Sequence, residues 1–126
     1  MKSLFYSMII VVAASGVAHA QSASNGEIGY AKGSLGYDAL NSGDNEQAIK
    51  QILASEKVSR NDPARLINLG QAYARTGRTY EAKELFTAAM ASRDEVDLIL
   101  ADGRVMSSKE AARQALLKLQ ARVASR

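Results

Sequence analysis

Displaced by 34 positions, this chain matches itself. Leu35-Gly36 recurs as Leu69-Gly70, Gly43 as Gly77, Ala48 as Ala82 and the apolar Ile52 as Phe86. A repeat of that length constrains the fold more than any composition does. Each copy is one supersecondary unit, and it must leave an apolar face for its neighbour to cover. The copies span 29–62 and 63–96. Within the second, Leu66, Leu69, Gly70 and Tyr73, then Ala82, Leu85, Phe86, Ala89 and Met90, recur at steps of three and four. Two amphipathic helices joined by a short turn are expected, so the predicted class is all-α, a short α-solenoid of antiparallel helix hairpins.

Helix punctuation agrees with the repeat independently. Asp44 with Gln47, and Ser107 with Glu110, have the spacing of a capping box ahead of apolar runs. Asp62-Pro63 reads as a cap followed by a first-turn proline, whose missing N–H costs nothing there. Gly43 and Gly77 are placed to end the preceding helices in the left-handed conformation that only glycine adopts cheaply. Small residues, Gly70 and Ala82, stand where paired helices approach, and a bulky side chain at Gly70 would cost about 1 to 3 kcal/mol by overpacking.

The second copy resembles the tetratricopeptide repeat over nearly its whole length. Leu69, Gly70, Tyr73, Gly77, Ala82, Phe86 and Ala89 fall on signature positions; Leu66 replaces the leading aromatic and Asp94 the late proline. The first copy keeps Leu35, Gly36, Gly43, Ala48 and Ile52 but has Ala39 for Tyr73, Ser55 for Ala89 and Arg60 at the late proline. The resemblance implies a concave groove, lined by the first helix of each copy, that holds a partner's peptide. Matching positions are Tyr30, Tyr37, Leu40 and Asn41 in the first copy, and Ile67, Asn68, Gln71 and Arg75 in the second. Some family members clamp a partner's terminal carboxylate with Lys and Asn. Asn68 fits one such place, but Gly33 and Tyr37 occupy the others, so the clamp is not expected here.

A third, degenerate pair of capping helices is expected over 97–124, where Ala112, Leu116 and Leu119 repeat the spacing of Ala82, Phe86 and Ala89. Asp94, Glu95, Asp97 and Asp102 lack the spacing of a calcium loop and read as a solvated helix start. Lys109, Arg113, Lys118, Arg122 and Arg126 make the last helix basic without an aromatic membrane-binding face. Gly26, Gly29, Gly33 and Gly36 sit in or beside the first helix, each interior one costing roughly 1 kcal/mol against alanine. Either local looseness or a close-packing surface for another helix follows from them. With two repeats and a cap, the array is expected to be only marginally stable until a partner or a second copy completes the burial.

Residues 1–20 have the three-part layout of a secretory leader: Lys2, an apolar or small run over 4–17, and Ala18-His19-Ala20 as a small-x-small cleavage site. That 14-residue run would reach about 21 Å as a helix, short of a ~30 Å hydrocarbon core, so no stable span is expected after cleavage. Removing 20 of the 126 residues, with one cation and no acid among them, leaves 106 and takes the formal charge from +3 to +2. The helical domain is then 21–126, periplasmic or secreted. Cysteine is absent throughout and the single histidine, His19, leaves with the leader. The commonest nucleophile, general base and zinc ligands go with them, so no enzyme, metal site or cofactor is expected. Acid pairs such as Glu81 and Glu84 have helix-surface spacing, and 16 cations against 13 acids make no field for nucleic acid. The expectation is a non-catalytic adaptor in a bacterial envelope. The alternative is a self-assembling structural or secretion-accessory subunit, a homo-oligomer.

Overall fold

The computed structural model describes residues 12–13 and 29–126. Two of its helices stop on the same backbone geometry, 34 residues apart. Helix α1 (Tyr37–Ser42) ends at Gly43, φ 82°, and α3 (Pro63–Arg75) runs through Thr76 to Gly77, φ 81°. After α1, the Asp44 N–H donates to the Ala39 carbonyl at 2.8 Å and the Gly43 N–H to Leu40 at 3.2 Å. After α3, the Arg78 N–H donates to Tyr73 at 2.9 Å and the Gly77 N–H to Ala74 at 3.3 Å. These paired bonds form the Schellman motif, which satisfies carbonyls that a helix end otherwise orphans and reverses the chain within two residues.

The partner helices follow at once: α2 (Asn45–Ala54) after α1, and α4 (Thr79–Ala91) after α3. Asp44 caps α2, its carboxylate accepting from the Gln47 N–H at 3.1 Å. Asp62 caps α3, Oδ1 accepting from the N–H groups of Ala64 (2.9 Å) and Arg65 (3.1 Å), with Pro63 in the first turn. At the matching start of α4 stands Arg78, which gives no side-chain cap.

Each hairpin closes over a glycine. A Cβ at Gly36 would lie 3.1 Å from Ile52 Cγ1 and 3.1 Å from the Ala48 carbonyl oxygen; at Gly70 it would lie 2.6 Å from Phe86 Cε1. The repeat-related pairs Gly36–Ile52 and Gly70–Phe86 therefore do the same packing work. Helix α3 is the centre of the molecule, buried all round over 63–70. One face joins Leu69 and Ala72 to Leu40, Ala48 and Ile52 of the first hairpin; another joins Ile67 and Ala74 to Phe86, Leu98 and Ala111.

The structure departs from three expectations. The first helix does not span the start of its copy: it begins only at Tyr37 and holds six residues. Ahead of it, Gly29, Gly33 and Gly36 all take positive φ, and turn bonds replace helical ones, Ser34 N–H to the Ala31 carbonyl and Gly36 N–H to Gly33. Nor is 97–124 a pair of helices. Strands β2 (Asp97–Ile99) and β3 (Val105–Ser107) form an antiparallel hairpin, and one helix, α5 (Ser108–Ala124), follows. The loop 101–103 explains it. Gly103, φ 84°, donates to the Leu100 carbonyl at 2.8 Å while the Leu100 N–H donates to Arg104 at 2.8 Å, the three-residue turn that Asp-Gly favours. Asp94 and Glu95 thus lie in loop, Asp97 on a strand and Asp102 in the turn, rather than at a helix start.

The chain is mostly helical, with a small sheet at one side. A two-residue strand, β1 (Val12–Ala13), completes that sheet in the order β1-β2-β3, pairing antiparallel with β2. The rest of the expected leader and its cleavage site lie outside the described residues. Among the described residues no helix is long and apolar enough to cross a membrane.

Candidate functional site

The eight groove positions divide sharply. Leu40, Ile67 and Asn68 are buried and belong to the core, which corrects their assignment to a partner-facing groove. Asn68 is polar within that core: its Nδ2 donates to the Leu35 carbonyl at 3.0 Å, tying α3 to the non-helical start of the first copy. An amide bonded to backbone in the interior is costly to remove, because the carbonyl it leaves keeps its desolvation penalty.

Tyr30 does related work from the loop. Its hydroxyl donates to Asp62 Oδ2 at 2.9 Å, so the carboxylate that caps α3 with one oxygen anchors the loop with the other. Burial first, then the Asp62 charge and its hydrogen bond, hold the Tyr30 phenol well above its ordinary range. Arg75, half-buried, donates from Nη1 to the Leu40 carbonyl at 3.0 Å, with a long 3.5 Å contact to Asn45 Oδ1. A guanidinium from the second copy thereby closes a helix end of the first. Burial, and next the charge of Arg122, lower its pKa; α3 and α5 accordingly bring cations together at their C-terminal ends.

Besides the partly exposed Tyr30 on the loop, what remains open to solvent is a lip across α1 and α3. Asn41 is exposed, and Tyr37, Gln71 and Arg75 are partly so. The sequence reading missed Arg65, which lies buried under the first copy with Nη1 donating to the carbonyls of Ser55 (2.7 Å) and Val58 (3.2 Å). Nothing in the repeat marks it, since the position 34 residues earlier is Ala31. It missed Ser108 too, whose Oγ accepts from the Val96 N–H at 3.1 Å and joins α5 to the strand hairpin.

Among the described residues no three His, Cys, Asp or Glu are grouped to hold a metal ion. Two carboxylates, the exposed Asp102 and the partly exposed Glu110, are spent locally. Asp102 is held below its usual range by the backbone and side-chain hydrogen bonds of Arg104, and Glu110 by those of Arg113 and Gln114. Glu81 and Glu84 are both exposed. Comparison with known protein families, with curated proteins and with solved structures returns no match.

Proposed function

We propose that this chain is an exported, non-catalytic protein-binding module of the tetratricopeptide kind, an adaptor in a bacterial envelope, which meets its partner along the lip of Tyr37, Asn41, Gln71 and Arg75. The observation that carries the reading is the equivalence of the two hairpins. The same closing glycine, the same helix-ending motif and the same buried signature residues recur at 34 residues, and stacked units of that kind present a shared face. Tyr and Arg are the side chains that interfaces favour, and Asn and Gln supply adaptable hydrogen bonds beside them. Relative to the groove implied by the resemblance, the docking face moves outward, because its floor is occupied by the chain's own core.

The test is site-specific photo-crosslinking in intact envelopes, with the probe at Asn41 or Gln71 and, as control, at Lys83 or Glu84 on the far helix. One defined adduct from the first pair and none from the second supports the reading. Equal labelling from both faces, or none from either, ends it. A second reading, self-assembly, draws on the outer face of α5, where Leu117 and Val123 are about half exposed (55% and 50%). Sedimentation at micromolar concentration decides it: a monomer excludes self-completion, and a dimer lost in Leu117→Glu establishes it.

A further inference from the structure

We propose that the outer edge of β2 is a strand-accepting site for an extended apolar segment of a partner protein, masked in the full-length chain by its own residues 12–13. The inference rests on the reading above, that the chain is a binding module whose leader is removed. The geometry of β2 carries it. Val96 exchanges bonds with Ser108, its carbonyl accepting from the Ser108 N–H at 2.8 Å, and the Leu100 N–H donates to Arg104. Even-numbered residues thus turn their backbone groups toward β3. Alternation turns those of Asp97 and Ile99 to the opposite edge. That edge is where Val12 pairs with Ile99 and Ala13 with Leu98.

An unpaired edge is a template for another strand, and such a site draws affinity from backbone bonds and selectivity from the side chains it seats. Three features make β2 the acceptor. Leu98 and Leu100 anchor it in the core. The other edge of the hairpin belongs to β3, which carries the exposed Val105 and runs directly into α5. The chain already seats Val12 and Ala13 on β2, and around these two residues the sequence reads Met8-Ile9-Ile10-Val11-Val12-Ala13-Ala14, apolar, rich in β-branched residues and uncharged. When cleavage after Ala20 removes that segment, the edge opens to a strand of the same chemistry.

The full-length chain tests this directly. Val12→Pro removes the N–H that faces Ile99 and disfavours pairing, whereas Val12→Ala preserves both. In the parent and in Val12→Ala, the Ile99 amide should exchange slowly. In Val12→Pro it should exchange faster by on the order of tenfold or more, while exchange at Ile67 in α3 stays unchanged. A synthetic peptide of residues 8–14 with a solubilising Lys tail should restore Ile99 protection in Val12→Pro, and should bind the parent on the order of tenfold more weakly. The proposal is overturned by an Ile99 amide that exchanges equally in all three chains. Failure of the peptide to restore protection also overturns it, as does protection that returns with self-association and no peptide, which would make a second copy the occupant. Because the probe is a defined peptide read at one amide, these outcomes are separate from those of crosslinking at Asn41 and Gln71.

Discussion

The two hairpins share a signature and differ in how much helix they can hold. In the second, Gly70 lies inside a 13-residue helix, where its missing side chain makes room for the Phe86 ring. In the first, Gly36 sits at φ 63° and ends a run of turns, leaving a six-residue helix over the smaller Ile52. Equivalent contact across the hairpin does not require equivalent backbone. The shorter unit is instead held through α3: Asn68 and Arg75 reach back to it from the second copy, and Tyr30 bonds to Asp62, the residue that caps α3. The second hairpin is a scaffold and the first is a dependent layer on it.

That asymmetry is open to attack, most strongly at the large side chains. Phe86→Ala should cost about 3 to 5 kcal/mol and unfold both hairpins together, because α3 belongs to both cores. Ile52→Ala should cost about 2 to 5 kcal/mol, with exchange at α2 rising before exchange at α4. Urea titration with residue-resolved exchange measures both. A first hairpin that outlives the second would reverse the order of dependence. Next, Gly70→Ala should lose about 1 to 3 kcal/mol through the Phe86 ring, and Phe86→Leu in the same chain should recover part of it. Strict additivity of the two would show that the ring is not the obstacle.

Tyr30→Phe should cost about 1 to 2 kcal/mol through the lost bond to a carboxylate. Its pH dependence has a definite sign. The folded phenol titrates above the unfolded one, so the contribution is complete below the ordinary tyrosine pKa of about 10 and is lost as pH rises further. Parent and variant should therefore converge in stability only in strong base, and absorbance at 295 nm should show a late ionisation that Tyr30→Phe abolishes. Convergence near neutral pH would contradict the Asp62 contact. Smallest is the difference between helix starts: Asp44→Ala should cost about 1 kcal/mol, while Arg78→Ala, which removes no cap, should cost less and act through its exposed pairing with Glu46 at 3.3 Å and its place over the Tyr73 ring.

Much of this architecture was readable in the residues, because it is local. The capping roles of Asp44, Asp62 and Ser107 and the reversals at Gly43 and Gly77 depend on neighbours within a few positions, and the structure makes each of those contacts. The strand hairpin was also signalled, by Asp102-Gly103 between Leu98-Ile99-Leu100 and Val105-Met106. The helical spacing of the later Ala112, Leu116 and Leu119 is the longer pattern and competes with that short signal over 97–124.

The candidate site was legible only in outline. Sequence alone determined which residues pack at 34-residue intervals and where the helices turn, since spacing and φ preference are properties of short segments. Tertiary structure decided which of the eight groove positions still face water. Leu40, Ile67 and Asn68 point into the core because α3 is surrounded by the first hairpin, by α4 and by the β2–α5 unit. Burial is set by whatever the rest of the chain brings alongside, and a periodicity that marks one face of a helix carries no information about what will cover the other.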